Sequence, residues 1–112
     1  MGKVLHVQQQ DWQALESSTM PVFIDFWAEW CAPCRMLAPT IEKLAESYGS
    51  DISFAKVNVD ELPELANRFG IRSIPTLLLL QEGNVLEKLV DVRPHQELAR
   101  ILDRYVTVAE NK

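Results

Sequence analysis

Cys31 and Cys34 are the only two cysteines in the chain, with Ala32 and Pro33 between them. A disulfide between residues this close closes almost no loop, so it adds little to stability. A secreted, disulfide-scaffolded protein carries more cysteines at wider spacing. The pair therefore points to chemistry. Pro33 suits the first turn of a helix, where its missing N–H is not needed. Two helical residues three apart have Cα atoms roughly 5 Å apart, inside the window a disulfide requires. Free N–H groups and the dipole at a helix N-terminus favour a thiolate. Cys31, at the start, is expected to be the more exposed and to attack a substrate disulfide. Cys34, one turn inside on an apolar stripe, is expected to be shielded and to resolve the mixed disulfide. A zinc site needs about four ligands. Two cysteines and the distant His6 and His95 do not supply them, so no metal is expected and both histidines read as surface residues.

The elements that must position this pair are legible on both sides of it. Val22-Phe23-Ile24-Asp25-Phe26-Trp27-Ala28 is apolar almost throughout, as a strand buried on both faces reads. After the pair, Leu37, Ala38, Ile41, Leu44, Ala45 and Tyr48 continue the stripe begun by Cys34, predicting a helix that Gly49 stops and that Pro39 kinks. Val4–Val7 reads as a short edge strand, 11–16 as a short helix and 53–59 as a strand. Pro63–Phe69 reads as a helix stopped at Gly70. Residues 76–81 and 85–90 form a hairpin around Glu82-Gly83-Asn84. A last helix sets Leu98, Ile101, Leu102 and Tyr105 on one face. The order βαβαβαββα implies an α/β fold, a central mixed sheet of about five strands flanked by about four helices. Phe26, Phe54 and Leu77 to Leu80 belong to its core.

Composition narrows the function. The 112 residues fit one domain spanning 1–112, and 47% hydrophobic residues can fill its core. Net charge is −5 without a cluster of Lys and Arg, which argues against nucleic acid. No apolar run approaches the roughly 20 residues a membrane span needs. The N-terminus does not read as a secretory signal, so a cytoplasmic protein is expected, by default a monomer.

Asp25 stands in the middle of an apolar strand, where a carboxylate is costly unless paired or used. Burial should raise its pKa towards the range useful for proton transfer. Lys56, mid-strand in the next strand, is the expected partner.

The stretches 25–34 (DFWAEWCAPC), Ala38-Pro39, 55–60 (AKVNVD) and 70–76 (GIRSIPT) resemble the thioredoxin family along nearly the whole chain. The resemblance implies the thioredoxin fold and reduction of disulfides in protein substrates. It implies no bound cofactor beyond the redox-active cysteine pair. Regeneration would come from thioredoxin reductase, with NADPH as the electron source behind it. By the same resemblance Asp25 assists proton transfer near Cys34, and Pro75 is a cis-proline facing the cysteines. An Ile74–Pro75 peptide held cis would leave backbone groups of Ile74 free to pair with an extended substrate. Trp30, Pro33 and Ile74 would form an apolar rim for docking, with Trp27 packed beside the site.

Two positions depart from the family pattern. Ala32 stands where glycine is usual and should stiffen the turn. Val90-Asp91-Val92 replaces the usual Val-Gly-Ala, so Asp91 puts a carboxylate and a Cβ where a substrate backbone should approach. It is expected to narrow the substrate range and disfavour a thiolate at Cys31. Two other functions fit the same residues less well. A disulfide oxidant or isomerase would show a higher reduction potential. A non-enzymatic binding or chaperone module would survive loss of both cysteines.

Overall fold

The computed structural model describes residues 3–106. Its elements run β1 (Val4–His6), α1 (Trp12–Glu16), β2 (Val22–Trp27), α2 (Ala32–Tyr48), β3 (Ser53–Asn58), α3 (Pro63–Arg68), β4 (Thr76–Gln81), β5 (Asn84–Val90) and α4 (His95–Asp103), a single 3-10 turn over Gln9–Asp11 preceding α1. The five strands lie in the order β1-β3-β2-β4-β5. β1, β3 and β2 are parallel, while β4 and β5 are antiparallel to their neighbours. This is the expected mixed sheet, in the expected order.

The apolar runs behave as central strands should. β2 and β4 are covered on both faces, and each face has its own core. On one, Phe23, Phe54, Leu77 and Leu79 pack against Leu37, Ile41 and Leu44 of α2 and Leu98 and Leu102 of α4. On the other, Ile24, Phe26, Val57, Leu78 and Leu80 pack with Trp12, and with Leu65 and Phe69 from α3 and its end. Burying a Leu or Phe side chain stabilises by about 2–3 kcal/mol, so these two cores hold the sheet that carries the site.

The local signals end the elements by different means. Gly49 stops α2 as expected, standing as its C-cap, but it keeps right-handed dihedrals (φ −63°, ψ −20°). The Tyr48 carbonyl instead accepts the N–H groups of Asp51 and Ile52, each at 2.9 Å, and turns the chain into β3. Gly70 does take a left-handed φ of 65°. Its N–H donates to the Asn67 carbonyl at 3.1 Å and that of Ile71 to Ala66 at 2.9 Å, the double bond of a glycine-ended helix. Lys88 adds a cation there, its Nζ donating to the carbonyls of Phe69 and Gly70 at 3.1 and 3.3 Å. A Cβ at Gly70 would meet only Lys88 Nζ, at 3.7 Å. Gly70→Ala is therefore a backbone effect and should lower the unfolding free energy by about 1–2 kcal/mol, the cost of a left-handed L-residue, read from the midpoint of denaturant unfolding.

Several boundaries shift by one residue: β1 ends at His6, β2 at Trp27 and α3 at Arg68. Asp11 belongs to the 3-10 turn, its carboxylate accepting the Gln8 N–H at 2.8 Å. β3 stops at Asn58 because that side chain accepts the N–H groups of Asp60 and Glu61 and bends the strand away. The hairpin turn is Glu82-Gly83 alone, both at positive φ (51° and 81°), so Asn84 pairs with Gln81 as the first residue of β5. Helix α2 runs unbroken through the exposed Pro39. α4 ends at Asp103, which leaves Tyr105 in the following turn with its hydroxyl on the Glu87 carboxylate.

Candidate active site

The site forms where β2 and β3, running parallel, deliver their ends side by side. Trp27 stands in register with Asn58, so the loop 28–31 lies against Val59 and Asp60. Ala28 accepts the Cys31 N–H at 3.2 Å, a tight turn that delivers Cys31 to the head of α2. Cys31 is the N-cap of that helix, extended at φ −94° and ψ 104°, and its Sγ accepts the Cys34 N–H at 3.2 Å. A sulfur thus fills the position where Ser, Thr or Asp usually satisfies a free helix N–H. In thiolate form the same bond becomes charge-assisted and strengthens.

Cys31 and Cys34 are joined as a disulfide with Cα atoms 5.3 Å apart. Their exposures are 4% and 2%. Cys31 is the more exposed, as expected, but only slightly, and both cysteines are buried. Trp27, Val59 and Ile74 pack around the pair with Ala28 and keep Cys31 from solvent. What distinguishes Cys31 is its neighbours: the Cys34 amide on one side and the Ile74 carbonyl oxygen 3.8 Å from Sγ on the other.

That carbonyl belongs to a cis Ile74–Pro75 peptide. The Thr76 hydroxyl donates to the Ser73 carbonyl at 2.6 Å, and the Asp91 N–H donates to the Pro75 carbonyl at 2.9 Å. Pro75 itself is buried, Ile74 half-buried and Pro33 exposed at the second position of α2. Ala32 is the first helical residue and is exposed.

Trp30 is 69% exposed, yet it is held in place: its Nε1–H donates to Asp60 Oδ2 at 2.8 Å. Together with Val59, Ile71, Arg72 and Ile74 it lines a groove of about 390 Å³ beside the disulfide. Asp60, Val59, Arg72 and Thr76 were not singled out from sequence. The parallel pairing of β2 with β3 was the available signal for the first two, because it makes the loops after those strands neighbours.

Asp25 is 1% exposed, on the sheet face that α2 covers, between Lys56 and Leu77 in the ladder. Neither carboxylate oxygen has a hydrogen-bond partner among the described residues. Burial pushes its carboxyl from 3.8 up to about 7, and the charge of Lys56 pulls it partly back. Lys56 is thus a neighbour in register but not an ion-pair partner. Its Nζ lies 4.2 Å above the Trp27 ring, a cation–π contact that lets the long side chain reach past the apolar face. Trp27 is half-buried between that ammonium and His6, whose ring meets it edge-on at 6.5 Å. His6 and His95 are both exposed. No cluster of three or more metal-binding side chains occurs among the described residues, and no helix among them is long and apolar enough to cross a membrane.

Comparison with known proteins agrees with this geometry. The thioredoxin family model matches residues 3–104. A chloroplastic thioredoxin of Oryza sativa is 42% identical over 108 residues, covering 96% of this chain, and the match spans 63% of the rice protein's own length. The thioredoxin of Haemophilus influenzae is 37% identical over 107 residues, 95% of this chain and 100% of that protein. The solved structure of a Halobacterium salinarum thioredoxin variant superposes with a TM-score of 0.85 at 37% identity, covering 94% of this chain and 92% of that one. With a cysteine pair closed at the head of α2 and likeness along nearly its whole length, the chain belongs to the thioredoxin family of thiol–disulfide oxidoreductases.

Proposed function

We propose that the protein reduces disulfides in other proteins, with Cys31 as nucleophile, Cys34 as resolving thiol and Asp25 as the group that takes the resolving proton. The observation that carries the assignment is the Cys34 amide on Cys31 Sγ (3.2 Å). It gives Cys31, and not Cys34, a hydrogen bond from the helix that strengthens with negative charge.

The electrons balance in two displacements. The Cys31 thiolate attacks one sulfur of the substrate disulfide, forming a mixed disulfide and releasing a substrate thiolate that takes a proton from water. Cys34 then gives its proton to the Asp25 carboxylate, and its sulfur attacks Cys31 Sγ. The second substrate thiolate leaves and is protonated. Two electrons have passed to the substrate, and Cys31–Cys34 remains as the disulfide. A carboxyl with its pKa near 7 suits the proton step, since near neutrality it is neither locked as an acid nor inert as a base. Lys56 serves to moderate that carboxyl from its seat on Trp27.

The groove bordered by Trp30 and Ile74 takes apolar side chains of the substrate, Pro33 extends its rim, and the backbone at Ile74–Pro75 pairs with an extended segment. Thioredoxin reductase, drawing on NADPH, restores the dithiol. The cytoplasm, where thiols are kept reduced, is the compartment this direction of electron flow assigns. Insulin reduction coupled to NADPH and thioredoxin reductase tests the proposal. NADPH oxidation should rise in proportion to added protein and vanish for Cys31→Ser. Oxidation that continues in that variant, or never rises above the reductase alone, would refute it.

A further inference from the structure

Asp91 is a residue in the wrong backbone region for its type. Its φ is 77°, left-handed space that favours glycine. Such strain persists where surrounding structure holds it, and it concentrates at functional sites. Here the holding contact is the hydrogen bond from the Asp91 N–H to the Pro75 carbonyl, 2.9 Å. It extends the β4–β5 ladder one step beyond the Thr76–Val90 pair and makes Asp91 the cross-strand neighbour of Pro75. Pro75 follows Ile74, whose carbonyl lies 3.8 Å from Cys31 Sγ. Asp91 is therefore anchored to the backbone that borders the redox pair.

Its carboxylate is free to act. Asp91 is exposed, and its side chain makes no hydrogen bond or ion pair among the described residues. The adjacent cation, Arg93, is committed to Glu97 at 2.8 Å. Two residues before Ile74, the groove carries Arg72, also exposed and without an ion pair among the described residues, whereas Asp91 pairs with Pro75 just after Ile74. Two unpaired charges of opposite sign thus border one short stretch of backbone. A substrate segment laid along Ile74–Pro75 meets an anion on one flank and a cation on the other.

We infer that Asp91 selects substrates by charge: the protein prefers disulfides whose attacked cysteine has a Lys or Arg on the flank facing Asp91, and it discriminates against Asp or Glu there. The inference rests on the oxidoreductase reading and adds its substrate class. Arg72 gives the preference a direction, because the same basic residue on the opposite flank meets like charge.

The test is a single-turnover measurement with the prereduced protein. Disulfide peptides of one sequence carry Arg or Glu immediately before, or immediately after, the attacked cysteine. At low ionic strength the Arg peptide should react about fivefold faster than the Glu peptide on one side only, the size expected of one exposed charge pair. Asp91→Asn, which keeps the shape and removes the charge, should bring that ratio close to one, and high salt should shrink it in the unsubstituted protein. An equal preference on both sides would trace to the net charge of −5 and overturn the inference. So would a ratio unchanged in Asp91→Asn. If the prereduced protein reduces none of the peptides, the oxidoreductase reading itself fails.

Discussion

A Cys34→Ser variant will accumulate as a covalent adduct with its substrate. Cys31 keeps its cap position in that variant, because the bond to Sγ comes from the backbone N–H of residue 34 and not from its side chain. The first displacement therefore proceeds. The second cannot, since a serine hydroxyl does not displace sulfur under these conditions. Turnover should fall by a factor on the order of 10³ or more, as expected when a covalent intermediate loses its exit. Non-reducing electrophoresis and intact-mass measurement should show the protein joined one to one with substrate, and dithiothreitol should release both. Cys31→Ser should form no adduct. If the adduct formed through residue 34 in the Cys31→Ser variant instead, the roles of the two sulfurs would be reversed.

Asp25→Asn is expected to raise stability at neutral pH by about 3–4 kcal/mol while slowing catalysis. The folded pKa of about 7 lies above the ordinary 3.8, so the fold disfavours the ionised form. Below pH ~4 the carboxyl is protonated whether folded or not, and no penalty exists. Between pH ~4 and ~7 the unfolded chain releases the proton while the folded one retains it. Stability then falls by about 1.4 kcal/mol per pH unit and levels off above pH ~7. Asparagine cannot ionise. Urea midpoints of the variant should stay flat over that window, equal to those of the unsubstituted protein near pH 4 and well above them at pH 8. Parallel profiles would show that Asp25 does not titrate as its burial demands. In the proposed mechanism the same substitution removes the acceptor for the Cys34 proton. Resolution of the mixed disulfide should slow on the order of a hundredfold, the low side of what a positioned base supplies, and the rate should lose its inflection near pH 7.

Much of the fold could be read from local patterns. The unbroken apolar runs of β2 and β4 and the helical stripe from Cys34 to Tyr48 are strong periodic signals, and all three elements lie where they were expected. The redox pair was equally plain, since Cys31 and Cys34 are the only thiols and flank Pro33. What escaped is what depends on elements distant in sequence. Nothing local to Lys56 says that its ammonium rests on Trp27 rather than on Asp25. The near-equal cover of the two cysteines comes from Val59 and Ile74, brought in by β3 and the approach to β4. The Trp30–Asp60 bond joins residues thirty positions apart. Gly49 does end α2, but the two N–H groups that the Tyr48 carbonyl accepts beyond it come from Asp51 and Ile52, which no local pattern announces.

The cap of α2 couples two equilibria that are usually considered apart. The Cys31 sulfur bonds the Cys34 amide in the oxidised protein, and an anionic sulfur would hold that amide more tightly than a divalent one. By thermodynamic reciprocity, whatever orders the first turn of α2 must then favour the reduced couple, and reduction must in turn tighten the turn. Ala32, the residue at which that turn begins, can therefore adjust electron affinity without touching either sulfur.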